Sequence, residues 1–135
     1  MPTHLSTHGI GAIKETGSTF TITADRGSAV VKPTEANELT GWIHFTIPSP
    51  ATGGPNLNSV SIDFHSQTAT VDTVAVYLAN SLKFKEENLQ RGQSFVLPIP
   101  SGQAIYNGKG IAVSVQVQFQ DSNSKLHFQS VSIGI

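Results

Sequence analysis

The sequence predicts an all-β fold, a two-sheet antiparallel β-sandwich of jelly-roll or immunoglobulin-like topology, on three observations. Apolar and polar residues alternate with period two along most of the chain. No window of a dozen residues carries the i, i+3, i+4 apolar spacing of an amphipathic helix. One phrase also occurs twice, as Phe45-Thr46-Ile47-Pro48-Ser49-Pro50 and again as Phe95-Val96-Leu97-Pro98-Ile99-Pro100. Each copy is an alternating strand end halted by Pro-x-Pro, and each precedes a loop and then a strand that ends in Phe. Two related halves of a sandwich would read this way.

Taken in order, the first apolar row is Phe20, Ile22 and Ala24, and the next is Ile43, Phe45 and Ile47. Successive side chains of a strand point to opposite faces, so Trp42, His44 and Thr46 face away from that second row. Val60, Ile62 and Phe64 form a third row. Val74, Val76 and Leu78 are joined to Leu82 and Phe84 across Ala79-Asn80-Ser81 as a hairpin, with both sets read as core-facing. The segment Glu86–Gly92 reads as one helical turn, too short to change the class. The cleanest strand is Ile111–Phe119, whose odd positions are apolar and even positions small or polar. In the last strand, Leu126 and Phe128 share one parity while Val131, Ile133 and Ile135 share the other. This change of phase predicts a bulge near Gln129-Ser130, and the apolar row running to the final residue predicts a packed strand.

The 135 residues suffice for one domain, 1–135, with its own core, and residues 1–18 read as a loosely ordered N-terminal segment. There is no cysteine, which removes disulfides, thiolate nucleophiles and thiolate metal sites together. The start of the chain lacks the basic and apolar runs of a signal peptide, and no stretch approaches the roughly 20 apolar residues of a membrane span. The expectation is a soluble cytoplasmic protein. Net charge is −1, only 13% of residues are charged, and the Lys and Arg residues are scattered singly. Such a chain lacks the basic stripe that attracts nucleic acid, and its weak charge gives little repulsion between copies. Self-association is therefore expected, and neither a nucleic-acid nor a membrane partner.

The segment Gly41–Pro50, with its Trp-x-His-x-x-Ile-Pro-x-Pro pattern, the Val-x-Val-Tyr strand at Val74–Tyr77 and the alternating strand from Gly110 to Phe119 resemble an uncharacterised bacterial family of small all-β proteins. In the last of these the present chain has one extra alternating pair. The resemblance covers about Thr40 to Ile135. It implies a β fold and brings no reaction or ligand, so no functional residue is carried over from it.

Candidate chemistry gathers on the polar faces. Trp42, the chain's single Trp, lies beside His44 on the face turned from the apolar row. An exposed indole marks either a stacked sugar ring or a covering partner; the plainer alternative is a Trp tucked under a loop or a strand covered on both sides. Asp63 and His65 share a face by parity, and His44, His65 and His127 all point to polar faces. Three imidazoles and a carboxylate from different strands could hold a divalent metal if they converged, yet no zinc or calcium motif is present, so no metal or other cofactor is expected. His4 and His8 lie in the N-terminal segment, where adventitious metal binding is all they suggest. The two proline-gated loops, the second holding Tyr106, are either stiffened connectors or one wall of a binding surface. There is no Gly-x-Ser-x-Gly elbow and no phosphate loop.

The reading is a non-enzymatic sandwich acting by binding or self-assembly, with carbohydrate or protein recognition through Trp42, His44, Asp63, His65 and Tyr106. The competing class is a small-molecule enzyme of isomerase or cyclase type, its pocket between the sheets and His44 or Asp63 as acid or base.

Overall fold

A computed structural model describes residues 4–8, 13–14, 20–25, 28–34, 39–47, 56–79, 81–106 and 110–135. These residues form eleven strands: β1 (His4–His8), β2 (Ile13–Lys14), β3 (Thr21–Asp25), β4 (Ser28–Lys32), β5 (Thr40–Ile47), β6 (Ser59–Gln67), β7 (Ala69–Leu78), β8 (Ser81–Glu86), β9 (Gln93–Pro98), β10 (Ile111–Phe119) and β11 (Lys125–Gly134). They make two antiparallel sheets. The five-stranded sheet runs β2-β5-β10-β7-β8; the six-stranded sheet runs β3-β4-β11-β6-β9, with β1 also on β11. One edge of β11 serves two partners in turn, β4 against Leu126–Phe128 and β1 against Ser130–Gly134.

Period-two alternation becomes a shared core because each strand turns its apolar row inward. On β10 that row is Ile111, Val113, Val115, Val117 and Phe119, each at most 2% exposed. It faces Val60, Ile62 and Phe64 of β6 and Leu126, Phe128, Val131 and Ile133 of β11. Phe128 meets Phe45 from the opposite sheet at 5.4 Å between ring centroids, edge to face, and Phe64 from its own sheet at 5.9 Å. Toward one end Phe20 stands edge-on to Phe119 at 5.1 Å, filling the space left by the missing Cβ of Gly41.

The strand ends of the two phrases, Phe45-Thr46-Ile47 and Phe95-Val96-Leu97, occupy matching places. After β5 the chain crosses from the five-stranded to the six-stranded sheet, and after β9 it crosses back. Ile47 pairs with Ile111 and Phe45 with Val113; in the other sheet Leu97 pairs with Val60 and Phe95 with Ile62. Exchanging β5 with β9, β6 with β10 and β7 with β11 turns the order β5-β10-β7 into β9-β6-β11, the order observed. The crossovers meet at an Asn56–Ile105 bridge, where Leu57 N–H donates to the Ala104 carbonyl at 2.7 Å. Residues Pro48 to Pro55 of the first crossover and 107–109 of the second lie outside the described residues.

The bulge expected near Gln129-Ser130 is present: the β6–β11 register shifts between Phe128 and Ser130, which puts Phe128, Val131 and Ile133 all inward. The β7–β8 hairpin is also present, but its register shifts at Val76/Tyr77. That shift sets Leu82 opposite Tyr77 and leaves it 49% exposed, while Phe84 stays buried, so Leu82 is not a core residue. Glu86–Gly92 forms no helical turn. It lies beside β7, with Leu89 N–H on the Asp72 carbonyl and Arg91 N–H on the Val71 carbonyl, and Asn88 and Gln90 take left-handed backbone at φ 58° and 48°. These backbone bonds to β7 hold the segment where local propensity alone favours a turn of helix. Within residues 1–18, expected to be loosely ordered, β1 pairs five residues with β11 and β2 pairs two with β5.

Candidate functional site

The outer face of the five-stranded sheet is built as rungs of directly opposed residues on β5, β10 and β7. They read Thr40–Gln118–Thr70, then Trp42–Gln116–Thr73, then His44–Ser114–Ala75, then Thr46–Ala112–Tyr77. Inward neighbours Ile43, Phe45, Val113, Val115, Val74 and Val76 are buried to 0%, which leaves the outward residues no other orientation. Trp42 is half-buried in this surface. Two hydrogen bonds tie the middle rungs together: Thr73 Oγ1 donates to Gln116 Oε1 at 2.9 Å, and His44 Nδ1 and Ser114 Oγ are 2.7 Å apart. Gln116, whose backbone pairs with Trp42, thus has its amide oxygen held by Thr73.

Charge is low here. Lys85 extends the His44 rung on β8, but its ammonium lies 3.0 Å from Glu87. At one end of the face, Gln118 and Thr70 join Ser66, Thr68, Ala69 and Gln120 around a cleft of about 350 Å³. Its polar groups are hydroxyls and amides. At the other end stands Tyr77, half-buried, on the diagonal from Trp42. Two strand spacings and four residues separate them, about 16 Å at ordinary sheet dimensions. Thr73, Ser114 and Ala75 are buried at the centre of the face, and the Asp72 carboxylate accepts from Thr70 Oγ1 at its edge. Two half-buried aromatic side chains and the Gln116 and Gln118 amides are therefore what it offers a weakly charged ligand.

The sequence-predicted residues do not converge on one site. Trp42 and His44 lie on this face. Asp63 and His65 lie on the outer face of the six-stranded sheet, on the far side of the core, where Asp63 Oδ1 accepts from Ser94 Oγ at 2.7 Å. Tyr106 is half-buried in the β9–β10 crossover, packed against the core. His44 and Asp63 thus lie on opposite faces, and among the described residues the phenylalanine and valine rows fill the space between the sheets. Gln116, Thr73, Ser114 and Tyr77 were not read as site residues from the sequence. Parity alone faced them outward, but only the order β5-β10-β7 sets them beside Trp42.

No protein-family model and no curated protein sequence matches the chain. Among solved structures it is similar to a family 29 carbohydrate-binding module from Piromyces equi, at 11% identity over 98% of this chain and 90% of that one, with a TM-score of 0.56. A low-affinity xylan-binding module from Roseburia intestinalis matches at 11% identity, 97% and 94% coverage and a TM-score of 0.54. A cyclase from Fischerella sp. TAU, solved with 4-(1H-indol-3-yl)butan-2-one, matches at 10% identity, 97% and 89% coverage and 0.55. The fold is thus a β-sandwich of the kind carbohydrate-binding modules use, and one that also hosts catalysis. Among the described residues no helix is long and apolar enough to cross a membrane.

Proposed function

We propose that this chain is a carbohydrate-binding β-sandwich that lays a neutral saccharide on the outer face of the five-stranded sheet. The observation that carries the reading is Trp42, a half-buried indole set in an uncharged rung with a hydrogen-bonded Gln116–Thr73 pair. A pyranose ring stacks an apolar face on the indole while its hydroxyls reach the half-buried Gln116 amide and the His44 ring. Tyr77 and the hydroxyl-lined cleft at Gln118 extend the same surface in two directions, so several sugar units fit. Fold likeness to carbohydrate-binding modules supports the reading, and the side chains around Trp42 support this face as its location.

Isothermal titration with xylohexaose and cellohexaose tests it. At least one is expected to bind saturably, with Trp42→Ala weakening it more than tenfold and Gln116→Ala weakening it less. A binding heat that both substitutions leave unchanged puts the ligand elsewhere.

For self-association we infer the edge strand β9. It carries no charge, exposes Val96 at 63% and, among the described residues, pairs only with β6. Such an edge invites pairing with a second copy, whereas β8, the edge of the other sheet, carries Lys83, Lys85 and Glu86.

A further inference from the structure

On the face opposite Trp42, two histidines that the saccharide reading does not use are brought together by the sheet. His65 of β6 and His127 of β11 are directly opposed across the antiparallel pair. Their rings lie parallel, 4.5 Å between centroids and 10° between planes. The inward neighbours Phe64, Leu126 and Phe128 are 0–2% exposed, so the backbone beneath both imidazoles is fixed by the core. The next rung holds Ser130 and Asp63, and the Asp63 carboxylate is oriented by the Ser94 hydroxyl.

We propose that His65 and His127 form a clip for a borderline divalent transition metal such as Zn²⁺ or Ni²⁺. Two nitrogens bound to one zinc at about 2.0–2.1 Å in a tetrahedron stand about 3.3 Å apart. The ring centroids stand 4.5 Å apart, about 1 Å beyond that, a gap that tilting each ring about its Cβ–Cγ bond closes for the metal-facing nitrogens. Imidazole ligands select Zn²⁺, Ni²⁺ and Cu²⁺ over Mg²⁺ and Ca²⁺. Among the described residues no third His, Cys, Asp or Glu joins the pair, so water completes the shell. Lys125, in the rung on the other side opposite Gln67, opposes the charge of the ion. The same backbone register brings His8 of β1 opposite Ser130, so the test separates the clip from the N-terminal histidines.

The test is calorimetric titration of the full chain with ZnCl2 and NiCl2. The clip predicts one saturable site, weakened at least tenfold by His65→Gln and by His127→Gln and strengthened by Lys125→Gln. Binding persists when His4 and His8 are both alanine and when His44, on the far face, is glutamine; MgCl2 and CaCl2 give no heat. In NMR spectra the ring Cε1–H resonances of His65 and His127 shift together on adding Zn²⁺, a response that a purely structural pair lacks. Three results overturn the proposal: no saturable Zn²⁺ or Ni²⁺ heat, unchanged affinity in both glutamine variants, or loss of binding in the His4/His8 variant alone.

Discussion

Gly41→Ala probes how the strand that carries Trp42 is seated. Gly41 belongs to the inward row of β5, opposite Val117, and a Cβ built there meets Phe20 Cε2 at 2.7 Å and Cζ at 3.0 Å. The Phe20 ring is 2% exposed and stands edge-on to Phe119, itself 1% exposed, so it retreats only by moving a second packed ring. Gly41 has no left-handed φ, so the substitution costs packing and not backbone strain. Overfilling a core of this kind costs about 1–3 kcal/mol, partly offset by the reduced freedom of the unfolded chain at about 0.4–1 kcal/mol. The expected net loss is about 1–2 kcal/mol, a fall in Tm of roughly 3–8 °C for a chain of this size. Urea denaturation followed by circular dichroism measures it. Phe20→Leu removes the two atoms the new methyl meets, so in that background Gly41→Ala should be near neutral. A coupling of about 1 kcal/mol or more between the two positions is expected. Strict additivity, or a Gly41→Ala variant as stable as the parent, refutes the reasoning.

Other outcomes follow from the same geometry. Phe128→Ala removes the ring that bridges Phe45 and Phe64 and should cost about 3–5 kcal/mol in the same assay, whereas a loss under 1 kcal/mol contradicts a continuous inter-sheet core. Deleting Val131 to Ile135 removes inward residues at 0% exposure and the partner of β1, and should abolish soluble expression; a truncated protein with unchanged melting tells against it. Gln90, held at φ 48°, should tolerate Gly but lose about 1–2 kcal/mol as Val, and equal behaviour of the two would mean that the left-handed backbone there is not retained in solution. Val96→Lys should make the chain monomeric by light scattering at concentrations where the parent associates; a parent that is monomeric at tens of micromolar removes the self-association reading.

What the sequence made legible was local. Alternation in Ile111–Phe119 named an inward row that the fold keeps intact, and the phase change after Phe128 located a bulge, because a bulge is the way a strand keeps one face buried when parity slips. The two phrases marked the ends of β5 and β9, after each of which the chain changes sheets. Leu82 was misread because the register shift at Val76/Tyr77 is set by the partner strand and leaves no mark on residues 81–86. Parity likewise assigned His44 and His65 to polar faces without saying which sheet each belonged to. Their separation to opposite faces is a property of strand order, and strand order comes from long-range pairing. For the same reason Gln116 and Thr73 gave no signal of their own as neighbours of Trp42.

Trp42 is the chain's single Trp, so its emission reports the proposed surface directly. The decisive measurement is that emission during titration with xylohexaose and cellohexaose, in the parent and in Gln116→Ala. A ligand covering on the order of 50–100 Å² of indole at about 25 cal/mol per Å² gains about 1–2.5 kcal/mol from that contact, six- to seventy-fold in affinity. The account predicts a saturable blue shift with at least one of these saccharides, reached at higher ligand concentration in Gln116→Ala. Emission that no neutral saccharide moves, while calorimetry shows one bound, contradicts the placement of the site on this face; absence of binding by either method contradicts the function itself.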